Sequence, residues 1–234
     1  MKRLLLGFLV IFLFVSCFSP AFAWHDHTHI AVGTAAKFDQ DYNLAAPDVA
    51  KLKAYHVEDY NHWVNNGEKD EITPDLVRGQ IQKYNLGIEG EEKGHLYGAI
   101  VAAIRAYQDE SGAGKYGGVY HLAYAGHYIG DLSMPLHNIV YDKFNAEHHS
   151  LNDDIVENEI KTNLDKVVLY SISIKSEDDL IQNIVRIARK AKDLGFMLQK
   201  DDRDMTKKEA YAQLSDSASL FKAVLVYVGY TKTP

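Results

Sequence analysis

His127-Tyr128-Ile129-Gly130-Asp131-Leu132-Ser133-Met134-Pro135-Leu136-His137 decides how the chain is read. Its upstream flank, Tyr120, Leu122, Ala123, Tyr124 and Ala125, is apolar at helical spacing. On a helix, His127 and Asp131 stand one turn apart, with about 5–6 Å between their Cβ atoms. Both can then reach one small ion. Pro135 cannot sit inside that helix, so the chain turns before it and brings His137 back toward the same region. His149 and Asp153 repeat the i, i+4 pair further on. A lone His/Asp pair is usually a surface ion pair, but here the pair recurs. The first one also lies in an apolar helix, where an unpaired carboxylate is costly to bury. The combined set reads as metal ligands. Nitrogen and oxygen donors without sulfur suit zinc, ahead of manganese or iron.

Outward from that stretch, apolar positions recur at helical spacing and no set of alternating strands emerges. The expected fold is all-α, a single-domain helical bundle with a multinuclear zinc site at one end. Expected helices run from His29 to about Phe38 with Thr28 as cap, from Pro47 to about Asn65, and from Thr73-Pro74-Asp75 to about Tyr84. The third start has the order of cap, proline and acid typical of a helix N-terminus. Further helices span about Glu92 to Gln108, the ligand helix to Leu132, and a helix through His149 and Asp153 to about Leu164. Polar glycine-bearing stretches, Asn85 to Gly90 and Ser111 to Gly118, separate the fourth from its neighbours. Val167 to Ile174 fits an extended piece or a short helix. Ser176 with Asp179 marks a capped start. Leu180, Ile184, Ile187, Ala191, Leu194 and Leu198 then form one core stripe. Ala210, Leu214, Ala218, Phe221, Val224 and Leu225 form another, in a helix from about Thr206 to Tyr230.

Residues 1–23 read as a signal peptide. Lys2 and Arg3 are followed by an apolar run from Leu4 to Val15 and by Ala21-Phe22-Ala23, an A-x-A cleavage site. The run is short for a transmembrane helix. The expected location is outside the cytoplasm, periplasmic or secreted, with mature residues 24–234 as one domain starting at Trp24. Cys17, the only cysteine, falls in the leader. The mature chain then has no disulfide and no thiolate ligand. Phe14-Val15-Ser16-Cys17 loosely resembles a lipoprotein box, a rival fate for the leader. The formal net charge of −7 becomes two units more negative without Lys2 and Arg3. That argues against a general nucleic-acid surface and a stable nucleic-acid complex.

Two more stretches complete a pattern: Trp24-His25-Asp26-His27-Thr28-His29 and Gly94-His95-Leu96-Tyr97-Gly98. Trp after a cleavage site, a nearby His, His-Leu-Tyr, then H-Y-I-G-D-x-x-x-P-L-H and H-S-x-x-D together resemble the zinc-dependent phospholipase C and S1/P1 nuclease superfamily. The likeness spans Trp24 to about Glu157. It implies two to three zinc ions at one end of a helical bundle. One would take His95, His127, Asp131 and an upstream Asp; a second would take His137, His149 and Asp153. The third would take the Trp24 α-amine and carbonyl, His29, and a shared Asp131. An α-amine titrates near pH 7.7–8 on the order of neutrality, so its donor form is accessible. The upstream acid is where this chain departs from the family pattern: Asp75 is the first candidate, Asp70 the second and Glu71 the third. His62 could substitute for a ligand, although a buried, hydrogen-bonded histidine is the simpler reading. His25, His27, His121 and His148 lie near ligands as supporting partners at most.

The resemblance implies a phosphodiesterase, with Asp75 orienting or deprotonating a zinc-bound water. The long H-Y-I-G-D-x-x-x-P-L-H signature leans to phospholipase C and a phospholipid substrate, met by transient contact with a membrane surface. The five-residue step from Trp24 to His29 leans to the single-strand nuclease branch, in which Tyr97, Tyr124, Tyr128 and Tyr141 are possible stacking surfaces. A zinc-stabilised exported protein without catalysis is the remaining class.

Overall fold

The computed structural model describes residues 24–54, 56–87, 93–111 and 118–230. Residues 1–23, where a signal peptide is expected, and most of the two glycine-bearing linkers lie outside them. The described chain is all-α and forms one domain, with no strand among the described residues.

α1 (Asp26–Ala36) starts earlier than Thr28 would dictate. Its free amides are met from a distance: the Glu157 carboxylate accepts from the His27 and Thr28 backbone N–H and from the Thr28 hydroxyl. A 3-10 turn (Asp41–Ala45) leads into α2 (Ala46–Ala54) and the one-turn α3 (His56–Asp59). The expected helix to Asn65 stops here. Residues 61–66 instead run along other segments: Val64 N–H donates to the His137 carbonyl and Asn65 N–H to the Lys93 carbonyl. Those long-range bonds replace the helical ones.

α4 (Pro74–Ile81) begins as expected, with the Thr73 hydroxyl accepting from Leu76 N–H. α5 (Leu96–Glu110) and α6 (Val119–Ser133) form an antiparallel pair. α6 is the central rod, packed on α1, α2, α5, α8 and α9. Pro135 ends it, and Pro135–His137 forms a 3-10 turn that aims His137 inward. α7 (Lys143–Asp153) is capped by Asp142 and ends at its last ligand candidate, short of Leu164. Residues 167–174 are extended rather than helical, pinned by Val168 N–H to Ser215 Oγ and Tyr170 N–H to Ser219 Oγ. α8 (Glu177–Asp201) and α9 (Lys207–Tyr227) each open on a full capping box, Ser176/Asp179 and Thr206/Glu209. Their two expected stripes are core, apart from a half-buried Leu194.

Candidate metal centre

α6 and its neighbours bury a block of histidine and carboxylate side chains. Three groups among the described residues can hold a metal ion: Asp48, His62 and His127; His29, His127 and Asp131; and His137, His149 and Asp153. Every member is buried. Within each group the donor atoms lie within 4.8 Å of one another.

Asp131 stands between the groups. Its Oδ2 is 2.9 Å from His62 Nδ1 and 3.3 Å from His127 Nε2. Its Oδ1 is 3.4 Å from His29 Nε2 and 3.7 Å from His137 Nδ1. As cation donors, the two oxygens of one carboxylate thus address different imidazoles, His62 and His127 through Oδ2 and His29 through Oδ1. The i, i+4 relation read from the sequence is what puts Oδ2 beside His127.

Second partners fix three of the imidazoles. His127 Nδ1–H donates to the Leu44 carbonyl at 2.7 Å, His137 Nδ1–H to the His62 carbonyl at 2.6 Å, and His149 Nδ1–H to Asn145 Oδ1 at 2.7 Å. A carbonyl oxygen can only accept, so in each ring Nε2 is the nitrogen left to bind a cation. His137 Nε2 and His149 Nε2 lie 3.1 Å apart, and His149 Nε2 is 3.5 Å from Asp153 Oδ2. His62 is turned the other way: Nδ1 faces the group, and Nε2 is 3.5 Å from the buried Glu58 carboxylate, which itself accepts from the Tyr128 hydroxyl.

The polar atoms fit a bound cation. Both ring nitrogens of His29, Asp131 Oδ1 and both carboxylate oxygens of Asp153 are buried without a protein hydrogen-bond partner among the described residues. Leaving such groups unpaired costs about 1–3 kcal/mol each and more when charged. Cations would satisfy the carboxylate oxygens and one nitrogen of His29.

Electrostatics point the same way. Burial pushes the Asp153 carboxyl well above the usual carboxylate range, with the Asp131 charge adding to it. Burial also lifts Asp131 and Asp48, but neighbouring imidazoles overcome it. His127 and His137 hold Asp131 well below its ordinary value. His127, Lys51 and His62 hold Asp48 at about 2. Burial, followed by the His127 charge, lowers His29, and burial lowers His137 to about 4. Both rings are therefore neutral, the donor form, at neutral pH. His62 moves oppositely, to about 9, because hydrogen bonds to Asp131 and Glu58 outweigh burial and Lys51.

A cleft reaches the first of the three groups. It measures about 360 Å³ and is lined by His25, Asp26, His27, Asp48, Val49, Leu52 and Glu157. Asp48 is the one member of the three groups on its wall.

No family model, curated protein or solved structure matches the chain.

The three groups therefore rest on geometry, and they revise the sequence reading at two positions. Asp75 lies at the surface, its side chain 93% exposed, in an ion pair with Arg78 at 2.8 Å. Asp70 and Glu71 are exposed as well, Asp70 beside Lys93. Proline and cap chemistry placed Asp75 at the start of α4, where it serves the helix terminus. The upstream carboxylate of the cluster is Asp48. His95 is buried but stands outside the three groups, with Nε2 3.0 Å from Asn61 Oδ1. It buttresses the residue before His62, and His62 takes the place expected of it. His29, His127, Asp131, His137, His149 and Asp153 all fall within the groups. Trp24 is fully buried in the core, five positions before His29. Four further histidines sit beside carboxylates: His25 by Asp154, His27 by Glu157, His121 by Glu110, and His148 by Asp204.

Proposed function

We propose that the protein is an exported, zinc-dependent phosphodiesterase, in keeping with its resemblance to the phospholipase C and S1/P1 nuclease superfamily. The observation that carries this reading is Asp131, a buried carboxylate whose two oxygens face separate donor sets. Adjacent ions sharing one carboxylate suit the two non-bridging oxygens of a phosphodiester. Zinc is favoured by an all-nitrogen-and-oxygen set rich in imidazole, without thiolate.

The donors divide among ions by simple counting. His127 has committed Nδ1 to Leu44, so it has one nitrogen to give and ligates one ion. Asp48, His62, His127 and Asp131 Oδ2 make one set; His137, His149 and Asp153 make another. His29 and Asp131 Oδ1 are left as a pair that needs further donors. Cleavage after Ala23 would supply them as the Trp24 α-amine and carbonyl.

Bound zinc would lower the pKa of a coordinated water and offset charge on the departing oxygen. The chain's own residues supply the rest. Asp48 carries a negative charge at the cleft wall, held by Lys51 Nζ at 3.2 Å from its Oδ1. Leu44, His62 and Asn145 fix the rings of His127, His137 and His149, so the donors need not reorganise. Asp75 has no part in this scheme. The test is turnover of phosphatidylcholine and of single-stranded DNA by zinc-loaded protein beginning at Trp24, with and without chelator. Chelator-sensitive release of phosphocholine is expected; absence of turnover on both substrates overturns the proposal, and turnover of DNA alone assigns it to the nuclease branch.

A further inference from the structure

His62 presents the opposite nitrogen to the metal groups from its neighbours. His127, His137 and His149 commit Nδ1 and offer Nε2. His62 offers Nδ1, which lies 2.9 Å from Asp131 Oδ2, 3.1 Å from His127 Nε2 and 3.9 Å from Asp48 Oδ1. In a neutral imidazole, Nδ1 can ligate a cation only if the ring proton sits on Nε2. His62 Nε2 is buried and makes no hydrogen bond among the described residues. The carboxylate it faces is Glu58, at 3.5 Å. Glu58 is 4% exposed and belongs to none of the three groups. A buried acid thus stands one contact behind the metal centre, with no ligand role of its own.

A chain of hydrogen bonds aims that acid. The Tyr128 hydroxyl donates to Glu58 Oε1 at 2.5 Å, and Asn61 Nδ2 donates to Oε2 at 3.3 Å. Asn61 Oδ1 accepts from His95 Nε2–H at 3.0 Å. The surroundings fix which way the Asn61 amide points. Reversed, it would set its oxygen against the Glu58 carboxylate and against Asn85 Oδ1, to which Nδ2 donates at 2.8 Å. Acceptors would then face acceptors. With the oxygen turned to His95, that ring must be the donor. His95 stands outside the three metal groups, yet it orients the amide that orients Glu58. We infer that Glu58 is a positioning residue: it holds the His62 proton on Nε2 and so makes Nδ1 a metal donor, with Tyr128 and the His95–Asn61 pair keeping Glu58 in place. A carboxylate behind a metal-bound imidazole fixes the tautomer and strengthens the donor. The inference rests on the metal centre of the phosphodiesterase reading, and on no choice of substrate.

The experiment uses protein beginning at Trp24 and loaded with zinc. Long-range proton–nitrogen NMR of the histidine rings should show His62 bound through Nδ1 and protonated at Nε2. Glu58→Gln should weaken one zinc roughly 10–100-fold in chelator competition, the usual loss when the partner of a metal-bound imidazole is changed. Tyr128→Phe should weaken the same zinc. The zinc at His137, His149 and Asp153 should keep its affinity, which a general loosening of the fold would not spare. His95→Phe keeps the bulk of the ring and removes the donor, so it too should weaken that one zinc. His95→Gln places an amide nitrogen at the reach of Nε2 and should restore the parent affinity. If Glu58→Gln does not fold, Tyr128→Phe and the ring spectra of the parent carry the same test. His62 bound through Nε2, unchanged affinity in Glu58→Gln and Tyr128→Phe, or equal weakening of every zinc overturns the inference. So does a His95→Gln variant that loses as much zinc as His95→Phe, since His95 would then be a ligand itself. Less than one zinc in the parent removes the metal centre and the inference together. The expected affinities without turnover of phosphatidylcholine or single-stranded DNA would leave Glu58 its role while removing the phosphodiesterase reading.

Discussion

Asp131 and Asp153 make the same kind of i, i+4 pair with a histidine, but they differ in reach. Asp131 addresses His62 and His127 through one oxygen and His29 through the other. Asp153 has His149 alone at 3.5 Å. Asp131→Asn keeps the shape and removes the second anionic oxygen, so it should lower metal content by about two ions, and Asp153→Asn by one. Elemental analysis of both variants decides between them; equal losses would mean that Asp131 does not bridge. Gly130 is held to the same standard of space. A Cβ there would stand 2.5 Å from His29 Nδ1. Gly130→Ala should therefore displace His29, costing roughly 1–3 kcal/mol, as overpacking does, together with one bound ion. A melting curve and metal content matching the parent would show that His29 does not need that contact. Proton release follows from one shift. In the metal-free protein, His62 at about 9 favours its protonated form near neutrality, because hydrogen bonds to Asp131 and Glu58 outweigh its burial. A cation needs the unprotonated donors, so metal loading at pH 7 should release at least one proton. Titration calorimetry in two buffers of different ionisation enthalpy measures it, and proton uptake would contradict it.

At the scale of elements, the ligand helix was legible because its chemistry is local. His127, Asp131 and Pro135 define a one-turn pair and a helix stop by spacing alone, and α6 ends as that spacing requires. Likewise Thr73, Ser176 and Thr206 announced three helix starts through their own side chains. α1 was misplaced because its cap, Glu157, is 129 residues from Thr28 along the chain. Asp48 was missed for a different reason. Helical period says which residues share a face, not which face is inward, and α2 buries its charges. His62 was legible as buried, but its contact with Asp131 depends on residues 61–66 leaving the helix to pair with His137 and Lys93. The segment leading into α1 can be tested through Trp24, two residues before the helix begins. A chain that keeps Ala23 turns the Trp24 amine into an amide, a very poor donor. It should lose the ion held with His29 while keeping the one at His137, His149 and Asp153. Full metal content in the extended chain would remove Trp24 from the site.

At the scale of the molecule, the donors come from α1, α2, the 61–66 segment, α6, the turn after it and α7. α8 and α9, with their long core stripes, contribute none. Metal should therefore stabilise the two parts of the chain unequally. Chelation should lower the melting temperature by more than a few degrees and raise amide hydrogen exchange first in α1, residues 41–66 and α7, with α8 and α9 protected longest. Uniform exchange across all helices, or an unchanged melting curve after verified metal removal, would contradict that division. The most direct measurement is the number and position of bound ions in protein beginning at Trp24 and refolded with zinc. Elemental analysis should give two to three zinc ions per chain, with anomalous peaks beside Asp131 and between His137, His149 and Asp153. Less than one equivalent, or peaks away from these side chains, would show that the buried histidines and carboxylates are not a metal centre.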